Sequence, residues 1–289
     1  MPKTEGRLPD FIIVGATKAG TTSLDFYLSL HPEIHMARPK EPRFFIDAEE
    51  PLGRWGKGAD WYRGLFRSGK RLCGEASPAY THFPALPGVP ERMARLVPNA
   101  KLIYLVREPM ERMKSHFLMN CRLKGCPENL GDFLSANPES RCLLASCYGL
   151  QLEKYLEYFP LEQILVVESE DLAGRRSPTL RRIFDFLAVD ADFSTPLFRH
   201  RRNVTAHQRI PNAMGRRILD APPMGWAKNV LPNFLFYHLR NLVLLPCGAE
   251  PPSMELPDHM RREIQDRFRA EVNRLRELSG QPLASLGNE

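Results

Sequence analysis

Eight consecutive residues, GATKAGTT from Gly15 to Thr22, carry the most specific chemistry in the chain. They follow an apolar run, Phe11 to Gly15, and lead into TTSLDFYLSL, where Leu24, Tyr27, Leu28 and Leu30 recur at helical spacing. A glycine-bearing turn between strand and helix presents backbone N–H groups and a helix N-terminus to an anion. Against the nucleoside-triphosphatase pattern GxxxxGK(S/T), Gly15 and Gly20 are in place, Thr21 stands where the lysine belongs, and Lys18 lies inside the loop. A triphosphate enzyme needs its lysine beside the metal-binding hydroxyl. The displaced Lys18 instead reaches the oxygen that joins a phosphate to its leaving partner, which favours a diphosphate-like ligand held without magnesium. The plain alternative is a strand-to-helix turn with no ligand.

A second strand-to-helix junction supplies another cation. KLIYLVR from Lys101 reads as a buried strand, and Pro109 stands where a helix favours its first residue, ahead of MERMKSHFLMNCRL. Arg107 ends that strand, and Ser115 falls about two turns into the helix. A guanidinium fork and a hydroxyl so placed suit one more phosphate, away from the first loop. ATP has no such second phosphate group. Taken alone, Arg107 reads as an ion-pair residue with Glu108 or Glu111; paired with the upstream loop, the anion reading is preferred.

The elements that must position these groups alternate. A further strand is expected at Gln163 to Glu168, after an amphipathic helix through Leu150, Leu152, Tyr155, Leu156 and Phe159, and a shorter one at Arg71 to Gly74. This order predicts an α/β fold: a P-loop-type central parallel sheet flanked by helices on both faces, with ligands at the carboxyl ends of its strands. Leu256, Met260, Ile264, Phe268, Val272 and Leu275 mark one face of a C-terminal helix over 255–279. The stretch 209–252 mixes basic, apolar and proline residues without a sustained period and is expected to form helices and loops beside an acceptor. With 289 residues, 43% hydrophobic and 26% charged, the chain reads as one domain over 1–289.

A formal charge of +6, spread along the chain, fits a polyanionic ligand and makes nucleic acid a poor candidate. The opening MPKTEGRLPD has no apolar core of a signal or anchor, and Val230 to Cys247 is too short and too polar to span a bilayer. A cytoplasmic setting is therefore expected. The six cysteines, Cys73, Cys121, Cys126, Cys142, Cys147 and Cys247, form no CxxC pair and are read as reduced thiols. The four-residue gap repeated in Cys121/Cys126 and Cys142/Cys147 leaves a metal or disulfide cluster as the alternative.

Taken together, these residues resemble the sulfotransferases that use 3′-phosphoadenosine 5′-phosphosulfate (PAPS), in particular the glycosaminoglycan sulfotransferases and their soluble bacterial relatives. The resemblance rests on GATKAGTTSL, KEPRFF at Lys40 to Phe45, GADWY at Gly58 to Tyr62, GEASPAY at Gly74 to Tyr80 and LIYLVREPMERMKSHF at Leu102 to Phe117. YGLQLEKYLEYFPLEQILVVESEDL from Tyr148 and the closing GQPLASL extend it over nearly the whole chain. It implies that PAPS is the cofactor and 3′,5′-adenosine bisphosphate (PAP) the product, that no metal is required, and that the setting is bacterial. Thr17, Lys18, Ala19, Gly20, Thr21 and Thr22 would hold the 5′-phosphosulfate. Arg107 and Ser115 would take the 3′-phosphate, and Arg201, Arg202 and Asn203 resemble a late loop that closes over it. Glu41 would be the general base and Lys18 the group stabilising charge on the leaving phosphate.

Two departures stand out. Arg43 occupies the position that is usually histidine in the glycosaminoglycan enzymes, and Ala76 replaces the lysine of their EKSPxY segment, which speaks against heparan-like acceptors. Glu75 is read as structural in preference to a second acid, and Phe45, Trp55, Trp61 and Tyr62 as core or as walls for the acceptor or adenine. The expected function is sulfuryl transfer to a hydroxyl, less readily an amine, of a carbohydrate, lipid or secondary-metabolite acceptor. The rivals are a P-loop kinase of small molecules, which lacks the lysine at position 21 and a strand-ending acid among Asp25 and Asp47, and a PAP-binding module without catalysis. Oligomeric state is not legible.

Overall fold

The computed structural model describes residues 6–124, 129–199, 210–219, 221–224, 239, 242, 248–249 and 251–286. Five strands, β1 (Phe11–Gly15), β2 (Ile34–Met36), β3 (Leu72–Ala76), β4 (Lys101–Val106) and β5 (Ile164–Glu168), form one sheet in the order β2-β3-β1-β4-β5. All four pairings are parallel. Every residue of β1 and β5 is buried, so both sheet faces are covered, as an α/β fold requires. The unbroken apolar runs FIIVG and LIYLV have that composition because neither face of those strands meets water.

Helices α1 (Thr21–Leu30), α2 (Gly58–Arg63) and α3 (Val89–Leu96) lie between β1 and β4 in sequence. Then follow α4 (Pro109–Lys124), α5 (Leu130–Ala136), α6 (Arg141–Leu144) and α7 (Tyr148–Leu156), and after β5 come α8 (Ser169–Gly174) and α9 (Arg176–Leu187). The helix expected to run through Phe159 stops at Leu156, because Pro160 disfavours helical backbone at the residue before it. Phe159 is nonetheless buried. The predicted strand at 71–74 extends to Ala76, so Glu75 lies within β3 instead of after it.

The described residues group into two compact units. The first comprises Met1–Met113, Glu139–Asn203 and Arg262–Glu289 and holds the parallel sheet. The second comprises Lys114–Pro138 and Val204–Arg261. In it, β6 (Ile210–Pro211) and β7 (Gly248–Ala249) make a short antiparallel ribbon beside α10 (Ala213–Leu219), where only helices and loops were expected. The C-terminal helix α11 (Asp258–Ser279) starts three residues later than predicted, with the Pro257 carbonyl accepting its first bond from Arg261 N–H. Ile264, Phe268, Val272 and Leu275 form its buried face, matching the spacing read from sequence.

Cys121 is disulfide-bonded, which corrects the reduced reading for that residue. Cys73, Cys142 and Cys147 are free thiols, so its partner lies outside the described residues. Sequence spacing alone does not show which thiols approach one another.

Candidate functional site

The strand order sets the site. From β1 the chain turns toward β3 and β2, whereas from β4 it turns toward β5, so β1 and β4 are neighbours whose onward connections part. The crevice at the carboxyl ends of such a pair is where open α/β sheets bind ligands. Register fixes the relationship: Gly15 pairs with Tyr104, and Ala16 N–H donates to the Leu105 carbonyl at 2.6 Å. Between Ile13 and Gly15 the register slips by one residue, a bulge that re-aims the chain as it leaves the sheet. Lys18 and Arg107 therefore rise from the ends of adjacent strands.

The loop conformation explains its glycines. A Cβ on Gly15 would fall 2.0 Å from Thr81 Oγ1, and Gly20 has φ of 93°, a left-handed backbone that favours glycine. Lys18 also adopts a left-handed conformation, with φ of 73°. Helix α1 opens at Thr21 with no side-chain cap and no acidic residue in its first turn, so its leading N–H groups, those of Thr21 and Thr22 included, face the loop side as an anion cradle would. Ala19 is fully buried and serves as packing, and Thr21 is buried.

Two residues that sequence reasoning missed, Arg112 and His82, hold this loop. Arg112, fully buried, donates from Nη1 to the Thr17 carbonyl at 3.1 Å, from Nε to Ser146 Oγ at 2.6 Å and from Nη2 to the Cys142 carbonyl. His82 Nε2 lies 2.9 Å from Thr17 Oγ1, which also donates to the Pro78 carbonyl. Burial holds the His82 pKa down to about 3, with Arg112, Arg141 and Arg43 adding to the effect, so the ring is neutral at physiological pH. A Cβ on Gly20 would lie 3.4 Å from the Oγ of Ser169, the first residue of α8. The REP sequence could have pointed to Arg112 only by its helix position; nothing in the one-dimensional pattern marks an arginine as buried.

Arg107 is half-buried, and its Nη2 lies 3.7 Å from Glu111, the ion pair anticipated from sequence. Its peptide is clamped by Tyr148, whose hydroxyl accepts from Arg107 N–H at 3.2 Å and donates to the Arg107 carbonyl at 2.7 Å. Glu108 caps α4 by accepting from Met110 and Glu111 N–H. Ser115 is half-buried on α4, within the second unit, and is described there by itself. Arg201, Arg202 and Asn203 lie outside the described residues.

Glu41 lines a cavity of about 250 Å³ together with Lys40, Pro42, Arg43, Leu52 and Arg54. Its carboxylate pairs with Lys40 Nζ at 3.0 Å and with Arg43 Nη2 at 2.7 Å. Burial works to raise its pKa, but Lys40 and Arg43 outweigh it and hold the carboxyl below its ordinary value. Arg43 is thus a direct partner of Glu41. Glu41 and Arg43 both have left-handed backbone, with φ of 60° and 53°.

Glu75 is fully buried and accepts from Tyr62 and Tyr80 hydroxyls on Oε1 and from Ser77 Oγ on Oε2. Ala76 is buried at the end of β3. Phe44 stacks on Tyr62 at 4.2 Å, and Phe45, Trp55 and Trp61 pack around them, which gives these aromatics a core role. Asp25 pairs with Arg38, and Asp47 with Arg92. The carboxylate that does end a strand is Glu168, which sequence reasoning did not weigh; its Oε1 accepts from Ser285 N–H at 2.6 Å.

Comparison with known proteins agrees with this arrangement. A family model described as "Sulfotransferase domain" matches residues 8–207. Among curated proteins, the chain is 30% identical over 219 residues to human bifunctional heparan sulfate N-deacetylase/N-sulfotransferase 2, covering 70% of this chain and 24% of that protein. It is 33% identical over 193 residues to human heparan sulfate glucosamine 3-O-sulfotransferase 5, covering 63% and 54%. The chain thus spans about a quarter of the first relative and about half of the second. Among solved structures, a sulfotransferase from Alicyclobacillus acidocaldarius superposes with a TM-score of 0.66 at 25% identity, covering 96% of this chain and 98% of that one. The matched span contains both strand-to-helix junctions and the Glu41 segment: this chain belongs to the sulfotransferase domain family.

Proposed function

We propose that the chain works as one sulfotransferase domain, transferring a sulfuryl group from PAPS to a hydroxyl, or less readily an amine, of an acceptor seated beside Glu41. The observation that carries this is the pairing of Gly15 with Tyr104, which sets the Lys18 loop and Arg107 on neighbouring strand ends. A nucleotide esterified at both ends of its ribose spans two such anion sites, and ATP does not.

The residues present fit this donor. The Gly15 to Thr22 loop offers an uncapped helix N-terminus and a lysine to the 5′ end, Arg107 offers a guanidinium to the 3′-phosphate, and Ser115 is proposed for that phosphate from its sequence spacing alone. Arg201, Arg202 and Asn203 are proposed for the same end by resemblance alone. PAPS supplies the activated sulfuryl group. Glu41, ionised through Lys40 and Arg43, takes the acceptor proton as its oxygen attacks sulfur in line, and Lys18 with the loop N–H groups stabilises the charge that grows on the departing 5′-phosphate oxygen. No metal is proposed. The acceptor class, carbohydrate, lipid or secondary metabolite, is open, and the cavity walls of Lys40, Arg43, Arg54 and Leu52 present both charge and an apolar surface to it.

Among the described residues no helix is long and apolar enough to cross a membrane. The expected cytoplasmic setting loses support from the Cys121 disulfide, a bond typical of oxidising compartments.

The test is thermal shift followed by labelling. PAP and PAPS should raise Tm without added magnesium, and ATP should do so weakly. Incubation with radiolabelled PAPS and fractionated cell extract should then yield a labelled product that identifies the acceptor. Equal stabilisation by ATP, or none by PAP, would sink the reading.

A further inference from the structure

We propose that Glu75 is the positioning residue of the site: a single buried carboxylate that fixes the backbone of the base-bearing segment Glu41 to Phe45 through three hydroxyl groups. The proposal rests on the reading of Glu41 as base and deepens it.

Three consecutive residues of that segment each meet one of the three donors to Glu75. Arg43 N–H donates to Ser77 Oγ at 3.1 Å, and Ser77 Oγ donates to Glu75 Oε2 at 2.6 Å. The Phe44 ring stacks on Tyr62 at an interplanar angle of 6°, and Tyr62 Oη donates to Glu75 Oε1 at 2.7 Å. Phe45 N–H donates to Tyr80 Oη at 3.4 Å, and Tyr80 Oη donates to the same Oε1 at 2.8 Å.

The direction of each bond is forced. A backbone N–H can only donate, so Ser77 and Tyr80 accept from Arg43 and Phe45, and their own protons must go to the carboxylate. Both oxygens of residue 75 therefore accept, a role open to the two oxygens of a carboxyl group and closed to the nitrogen of an amide. Burial raises the Glu75 pKa to about 7, and the Ser77, Tyr62 and Tyr80 bonds oppose that rise.

The segment needs such an anchor. Left-handed backbone at two residues that are not glycine is unfavourable and persists only where surrounding contacts over-determine it. Glu75 itself is fully buried with both oxygens engaged, so it cannot reach the acceptor, and it acts through its neighbours. Local sequence hides this, because the carboxylate lies 30 residues beyond the end of the segment it serves.

Residue-resolved amide hydrogen exchange tests the proposal on the intact chain, using Glu75→Gln, Ser77→Ala and Tyr80→Phe. Exchange should rise at Arg43 in Ser77→Ala, at Phe45 in Tyr80→Phe and at both in Glu75→Gln, with the β1 amides unchanged. PAP affinity should stay within about twofold, while kcat toward the labelled acceptor fraction falls about tenfold to a hundredfold at unchanged KM for PAPS, the scale expected of a small misplacement of a reacting group. Should Glu75→Gln fail to fold, the two hydroxyl variants decide. Unchanged exchange at 43 and 45, increased exchange with undiminished kcat, or a parallel loss of PAP affinity each overturns the proposal. Glu41→Gln separates the two ideas: full activity there removes the base, whereas the exchange pattern still judges the anchor.

Discussion

The guanidinium of Arg112 donates to the carbonyl of Thr17 at 3.1 Å, so the loop between β1 and α1 is held from within the protein by a residue of the helix that follows Arg107. The same side chain reaches Ser146 and the Cys142 carbonyl. The two junctions that face the proposed nucleotide are thereby one mechanical assembly.

Arg112→Met should loosen that assembly. It removes the guanidinium donor from the buried Thr17 carbonyl, at a cost of about 1–3 kcal/mol for a buried acceptor that loses its bond, and also breaks the bonds to Ser146 and the Cys142 carbonyl. Tm should fall and PAP should bind more weakly, as read by thermal melts and calorimetry. Unchanged PAP affinity would show that the loop keeps its shape unaided.

Lys18→Ala should leave the fold intact and cut turnover about a hundredfold to a thousandfold, the range for removing one donor that serves developing charge. Circular dichroism and steady-state labelling with PAPS check the two halves separately. Near-normal turnover would refute the assignment of Lys18.

Glu41 must be ionised to act, so activity is expected above its pKa and lost as pH falls through it. Lys40 and Arg43 hold that pKa below its usual value, so the acid limb of the pH–rate profile should lie low. Removing one of these cations in Arg43→Met should move the limb to higher pH, while Glu41→Gln should abolish transfer and leave PAP binding intact. A limb that does not move would mean another group titrates there.

Glu75 gives a stability prediction of opposite sign. Its folded-state pKa, raised to about 7 mainly by burial, exceeds the 4.5 of an exposed glutamate. The native state therefore holds the proton more tightly between these values, and its stability contribution, complete below about pH 4.5, is lost as pH rises through 7. The groups facing Glu75 are Tyr62, Tyr80, Ser77 and the more distant Lys40, and both tyrosines stay neutral throughout because burial lifts them above their ordinary range. Thermal melts of wild type and Glu75→Gln from pH 5 to pH 8 should show the wild type losing ground to the variant as pH increases, and parallel curves would count against the shifted value.

Much of the frame was legible because its signals are local. FIIVG before GATKAGTT, and LIYLV before Pro109, are short apolar runs ending at a turn, and each became a strand followed by a helix at the expected residue. Ile34–Met36 escaped notice because three residues carry no periodicity; α9 was also missed, although Leu180, Ile183, Phe184 and Leu187 recur at helical spacing and form its buried face. An Arg107 ion pair with Glu108 or Glu111 was the alternative to the preferred anion reading, and the structure shows the pair with Glu111. Arg112, His82 and Tyr148 were not, because what matters in each is burial and a partner 30 or more residues away. Glu75 was read as structural, but its link to the Glu41 segment through Tyr62, Ser77 and Tyr80 is set by tertiary packing alone.

The cavity beside Glu41 has two kinds of wall. Arg43 is tied into the Glu75 network, whereas Leu52 and Arg54 come from a later turn that the network does not include. A protein engineer seeking a new acceptor can therefore randomise positions 52 and 54 as a library while leaving the anchoring machinery untouched, so retargeting need not compromise the geometry on which turnover depends.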